Sequence, residues 1–140
     1  MNKRLFSILF TLFLVGVLSV SCSNKDKTSQ STGIDSKYAG TWIGGGDLAG
    51  QTIVINADGS AQNQTEGVDI DMPASSITKN SDTSYTANYT LNPSTGVTVK
   101  GTMNIEFTTD TSANVTGQNI ITYSDGSSTE NINGTLTKQQ

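Results

Sequence analysis

Cys22 is the only cysteine among the 140 residues, and it stands where an apolar stretch gives way to a polar one. There is no histidine, and Arg4 is the sole arginine. Nucleophilic catalysis would fall to Ser, Thr or Lys without the usual base, and a metal would depend on carboxylates alone. The best carboxylate pair is Asp69 and Asp71, because residues two apart on a strand point the same way at about 7 Å, a spacing that suits Ca²⁺ or acid and base roles. Neither has an evident third ligand. Val68, Ile70 and Met72 alternate with them, which marks the pair as the wet side of a strand. Gly44-Gly45-Gly46 lacks the following Lys and helix of a phosphate cradle. The sequence therefore predicts no catalytic residue, no metal site and no cofactor, and it identifies no ligand-binding residue.

Cys22 gains its meaning from what precedes it. Lys3 and Arg4 form a basic start, and the sixteen residues from Leu5 to Val20 carry no charge. That run is shorter than the ~20 residues of a comfortable membrane span, so it reads as a cleaved export signal over residues 1–21. Leu18-Ser19-Val20-Ser21-Cys22 resembles a bacterial lipobox of the looser, spirochaete type, with Ser19 in the usual leucine place and Leu18 one position further back. The resemblance implies cleavage between Ser21 and Cys22 and lipidation of Cys22. Cysteine arithmetic points the same way, because a soluble secreted product cut near Ser21 would carry a lone thiol in an oxidising compartment. A short uncleaved anchor is the other alternative. Each buried methylene contributes about 0.8 kcal/mol, so the two or three acyl chains of such a lipoprotein hold the bilayer stably where one would not.

Thr, Ser, Asn and Gly make up about half of everything after position 21. From Ser23 to Ser36 the one large apolar residue is Ile34, which predicts a flexible tether over residues 22–36 with a reach of about 20 Å. Cleavage would leave six lysines against twelve Asp and Glu, a net charge of −6. Nucleic acid and anionic headgroups both need a positive footprint, so neither is an expected partner.

Residues 37–138 carry a period of two. Val97, Val99, Gly101, Met103, Ile105 and Phe107 alternate with polar residues from Val97 to Thr109, and Tyr85, Ala87, Tyr89 and Leu91 do the same just before. Asn92-Pro93-Ser94-Thr95-Gly96 reads as the loop joining these two strands. Further strands are expected at Tyr38–Ile43, Gln51–Asn56, Ala61–Thr65, Val68–Met72, Ser75–Lys79, Ala113–Tyr123 and Thr129–Thr137, with Gly44–Gly50 as a loop. Short turns and no helical stretch predict an all-β, antiparallel up-and-down meander. Closed or nearly closed, it would be a barrel of about eight strands; the alternative is a β-sandwich. The expected core comprises Trp42, Ile53, Ile55, Val68, Ile70, Tyr85, Tyr89, Leu91, Val97, Val99, Met103, Ile105, Phe107, Val115, Ile121, Tyr123, Ile132 and Leu136. Six aromatics after the signal are too few for the two girdles of a transmembrane barrel.

Gly40-Thr41-Trp42, followed by the hairpin signal Asp58-Gly59, resembles the entry to lipocalin-like and avidin-like barrels, which implies an indole laid across the closed end of the barrel. Lipocalins pack a late-strand Arg over that indole, and Lys138 is the basic residue near the end of this chain. As a whole the precursor resembles small outer-membrane lipoprotein antigens of spirochaetes. That resemblance implies a non-enzymatic structural or interaction module and surface antigen, held to the cell outer membrane by acyl chains on Cys22; from the sequence the periplasmic and surface faces are both open. Two alternatives stand beside it: a lipocalin-like barrel binding a small apolar ligand behind Trp42, and an accessory subunit of an envelope complex.

Overall fold

A computed structural model describes residues 31–65 and 67–140; the expected signal, Cys22 and the tether as far as residue 30 lie outside the described residues. The alternating stretches become β1 (Gly40–Gly46), β2 (Thr52–Ile55), β3 (Ala61–Thr65), β4 (Val68–Met72), β5 (Ile77–Lys79), β6 (Ser84–Ser94), β7 (Val97–Thr109), β8 (Ser112–Tyr123) and β9 (Gly126–Lys138). Single 3₁₀ turns stand at Ser36–Tyr38 and Ala74–Ser76.

The strands form one antiparallel sheet in the order β4-β3-β2-β1-β9-β8-β7-β6-β5. Consecutive strands other than β4 and β5 pair, and among the four longest the turns are too short for anything else: Thr95-Gly96, Asp110-Thr111 and Ser124-Asp125 join them. Gly96 takes φ 79°, which a side chain would resist. The meander closes between its first and last strands, where Trp42 to Gly46 pair with Lys138 to Gly134. Its seam therefore falls in mid-chain, between β4 and β5, and β4 approaches β6 across it. The result is a nearly closed barrel of nine strands, one more than the eight or so expected, and its continuous ladder sets the sandwich aside.

The boundaries move in three places. Residues 31–36, expected as tether, belong to the domain: Thr32 bridges Thr78, Gly33 donates its N–H to the Ile77 carbonyl at 2.8 Å, and Ile34 is 3 % exposed. A polar stretch orders here because a neighbouring strand supplies its backbone partners, which composition does not reveal. The Gly44–Gly50 loop is partly strand, since β1 runs on to Gly46. Pro93 is likewise inside β6, at the position where that strand's outer side has no partner and a missing N–H costs nothing.

The core is aromatic at its centre. Tyr38 stacks on Phe107 with ring centroids 3.6 Å apart, and Trp42 and Tyr85 meet Phe107 edge-on at 5.2 and 5.7 Å. Ile53, Ile55, Met103, Ile105, Val115 and Leu136 are buried as expected. Ile34, Tyr38, Leu48, Met72 and Ile77 join them. Seven of the expected core residues, Ile70, Tyr89, Leu91, Val97, Val99, Ile121 and Ile132, are only half-buried, and Val68 and Tyr123 are exposed at 48 % and 44 %. Those on β6 to β9 share the inward face, but the strands that carry them outrun the barrel, whereas Val68 and Ile70 lie on β4 at the edge of the ladder.

Candidate interaction surface

The length mismatch creates the surface. β1 ends at Gly46, opposite Gly134, and the next residues inward along the ladder are Val115, Ile105 and Tyr85. Everything beyond that row on β6 to β9 stands clear of β1 as a four-stranded projection. On its inner face the registers set up cross-strand rows: Ala87, Met103, Gly117 and Ile132; then Tyr89, Gly101, Asn119 and Glu130; then Leu91, Val99, Ile121 and Ser128. The first row still packs on the core, while the third is half-buried and apolar apart from Ser128.

The middle row is held by one aromatic ring. Tyr89 lies across Gly101 and donates its hydroxyl to Asn119 Oδ1 at 2.6 Å. A Cβ on Gly101 would fall inside the Tyr89 ring, so glycine is what lets the ring lie flat on the sheet. Burial pushes the Tyr89 phenol above its ordinary range, and the bond to Asn119 works against that. The outer face is wet and ordered by Thr–Asn pairs: Thr86 Oγ1 to Asn104 Oδ1 at 2.9 Å, Thr102 to Asn88 at 3.0 Å and Thr98 to Asn92 at 3.0 Å. These threonines are on the solvent side that the alternation assigned to them.

At the other end Trp42 is fully buried, and its Nε1 donates to the Tyr38 carbonyl at 2.9 Å. Lys138 Nζ stands 5.8 Å from the indole centroid, within reach of a cation–π contact. Leu48 lies over Gly44 and Gly134, and a Cβ on either would run into it, so these glycines make room for that side chain. Asp69 and Asp71 point outward on β4, where Asp71 Oδ1 accepts from Gln62 Nε2 at 2.8 Å. No cluster of three or more His, Cys, Asp or Glu that could hold a metal forms among the described residues.

The charged group that sequence reasoning missed is Lys79. Its Nζ lies 2.9 Å from Asp35 Oδ2 and 3.0 Å from Asp82 Oδ1. Asp35 and Lys79 are 44 positions apart, and nothing in their local patterns pairs them. Leu48 was easier to find, as the one large apolar residue in an otherwise small-residue loop.

No protein-family model matches the sequence, and no curated protein resembles it in sequence at a significant level. The fold is similar to that in the crystal structure of Treponema pallidum Tp0751 (Pallilysin), with a TM-score of 0.53 over 93 % of this chain and 95 % of that one. Identity is 10 %, so the likeness is one of fold.

Proposed function

We propose that this chain is a non-enzymatic, lipid-anchored interaction module of the bacterial outer membrane, attached through Cys22 and presenting the β6 to β9 projection to a partner. The observation that carries this reading is the contrast between the two ends of the barrel. Tyr38, Trp42, Tyr85 and Phe107 pack on one another and fill the barrel around the indole, which weighs against a small molecule behind Trp42. The projecting end instead offers half-buried Leu91, Val99 and Ile121 and exposed Tyr123. Apolar side chains left at a rim mark contact surfaces more often than reaction sites.

The anchor rests on Cys22 and the signal before it. The likeness in fold to a spirochaete protein is in keeping with the spirochaete-type lipobox. The reading is tested by metabolic labelling with palmitate and by protease treatment of intact cells. Label on the native protein that vanishes in Cys22→Ala, together with release of that variant from the membrane fraction, is the expected result. A native mass with a free thiol at Cys22 or an intact signal would overturn it. Cleavage of the domain on intact cells would assign it to the outer face, as an antigen requires.

A further inference from the structure

We infer that the outer edge of β9 over Gly126–Asn133 accepts an extended, lysine- or arginine-bearing segment of a partner polypeptide as an added antiparallel strand. This rests on the interaction-module reading and names the surface and the chemistry of its occupant.

The backbone geometry makes the first part of the case. β9 pairs with β8 from Tyr123 and Gly126 down to Ser112 and Thr137 without a register shift, so it is a straight strand. On its other side β1 pairs with it only from Gly134 onward. At the boundary Asn133 donates its N–H to Asp47 Oδ2 at 2.8 Å and accepts from the Asp47 N–H at 3.1 Å. Both backbone groups of Asn133 thus point away from β8. Along an antiparallel strand the groups of alternate residues share a direction. Ser127, Thr129 and Asn131 therefore turn their N–H and C=O outward, with no strand beside them among the described residues. An incoming strand would occupy the line that β1 leaves at Gly46.

Other free edges in the sheet are guarded. β6 beyond Ala87 carries Pro93 and a register shift between Leu91 and Ser94, β5 is covered by residues 31–33, and β4 lies against β6 at the seam. Proline, irregularity and coverage are the usual protections of an edge, and lysine is another. Over Gly126–Asn133 the β9 edge has no proline, irregularity, cover or lysine, and its one charge is the inner-face carboxylate of Glu130, which disfavours an acidic strand and admits a basic one.

Charge selects the occupant. No lysine or arginine occurs between Lys100 and Lys138, and the edge is flanked by Asp47 at its base, Glu130 at its middle and Asp125 at its tip. Glu130 is exposed and ends the inner-face row beside Asn119, so the residue placed opposite it by a new strand would face a carboxylate. A second copy would bring the same acidic residues to the contact. Residues 31–140 hold four lysines against eleven Asp and Glu, which favours a cationic segment at long range as well. Main-chain bonds would supply binding, and the basic side chain opposite Glu130 would supply selectivity.

The test is a nuclear magnetic resonance titration of the mature chain with two synthetic peptides, one alternating threonine with lysine and the other threonine with glutamate. Expected with the lysine peptide are shifts of the Ser127, Thr129 and Asn131 amides and a slowing of their hydrogen exchange by about tenfold or more at saturation. The glutamate peptide should leave them unchanged, and Glu130→Gln should weaken the lysine peptide several-fold while keeping the spectrum of the fold. Thr129→Pro removes one outward N–H and should abolish binding; Asn131→Lys, which guards the edge without touching the backbone, covers the case of misfolding. Equal response to both peptides, or none to either, overturns the inference, as does protection of these amides that rises with protein concentration alone and so identifies a second copy. Membrane attachment through Cys22 is measured separately, so failure here leaves the anchored reading standing.

Discussion

Lys79 Nζ sits 2.9 Å from Asp35 Oδ2, joining the segment that enters the domain to the short strand it lies against. Asp82 Oδ1 completes the group at 3.0 Å, and the Tyr85 hydroxyl lies within 3.4 Å of the Asp35 N–H. These contacts hold the entering chain against the seam of the barrel, the one place where the sheet does not close on itself. The hydrogen bond from Lys79 keeps the Asp35 carboxyl below its ordinary 3.8 and raises the Lys79 ammonium above its ordinary 10.5.

Acid should loosen this clasp. A carboxylate whose folded-state pKa is depressed stabilises the fold above its unfolded value and loses that contribution as pH falls through the folded value. Asp35→Asn is expected to lower the melting temperature at neutral pH, and the difference should shrink as pH falls below 3.8 and through the lower folded-state pKa of Asp35. Thermal melts of the two proteins across the acid range check this. A difference that persists unchanged to low pH would mean that packing, not charge, ties Asp35 to the domain.

Alkali should act on the same corner through Tyr85. Burial pushes its phenol up to about 12, so the folded state holds the proton longer than the unfolded chain does. A raised pKa gives stability that is complete below the unfolded value of 10.0 and is lost as pH climbs toward the folded one. Ultraviolet titration of tyrosinate should show a late component from Tyr85 and Tyr89, which Tyr85→Phe reduces. The same substitution should flatten the alkaline loss of stability.

The flat Tyr89 ring on Gly101 predicts a sharp response to one methyl group. Gly101→Ala forces the ring off the sheet and should cost about 1–3 kcal/mol by denaturant unfolding. Tyr89→Leu clears the space, so the double variant should be less destabilised than the sum of the singles. Strict additivity would show that the two side chains do not share that space.

The true start of the domain can be measured by truncation. A chain beginning at Lys37 lacks Ile34 and the Thr32–Thr78 bridge, whereas one beginning at Ser31 keeps both. Ile34→Ala alone should cost about 2–5 kcal/mol, as for other buried large-to-small changes. The shorter chain should melt below the longer by at least as much. Equal melting temperatures would return residues 31–36 to the tether.

Several features were legible because they are local. Period two from Val97 to Thr109 is a property of consecutive residues, and β7 spans those bounds. Its partner strand before it and the hairpins after it follow from turn residues a few positions away. Trp42 as the buried plug and the outward turn of Asp69 and Asp71 are as the pattern implied. Leu91, Val99 and Ile121 show the limit of such reading. Alternation assigns them to the inner face correctly, but burial depends on what stands opposite, and nothing near them in sequence says that β1 stops at Gly46.

By itself the sequence determined the β class, the meander and the polarity of each strand face, because alternation and turn chemistry act within about ten residues. Through Cys22 and the run before it, the sequence also sets the expectation of an anchored protein. Only the tertiary structure decided that β1 closes on β9 and the seam opens beside β5, that Ile34 belongs to the core, and that β6 to β9 outreach the barrel to leave the β9 edge unpaired over Gly126–Asn133. Those outcomes come from pairings between residues up to a hundred positions apart. The cost of bringing such residues together and the fit once they meet belong to the whole chain, not to any window of it.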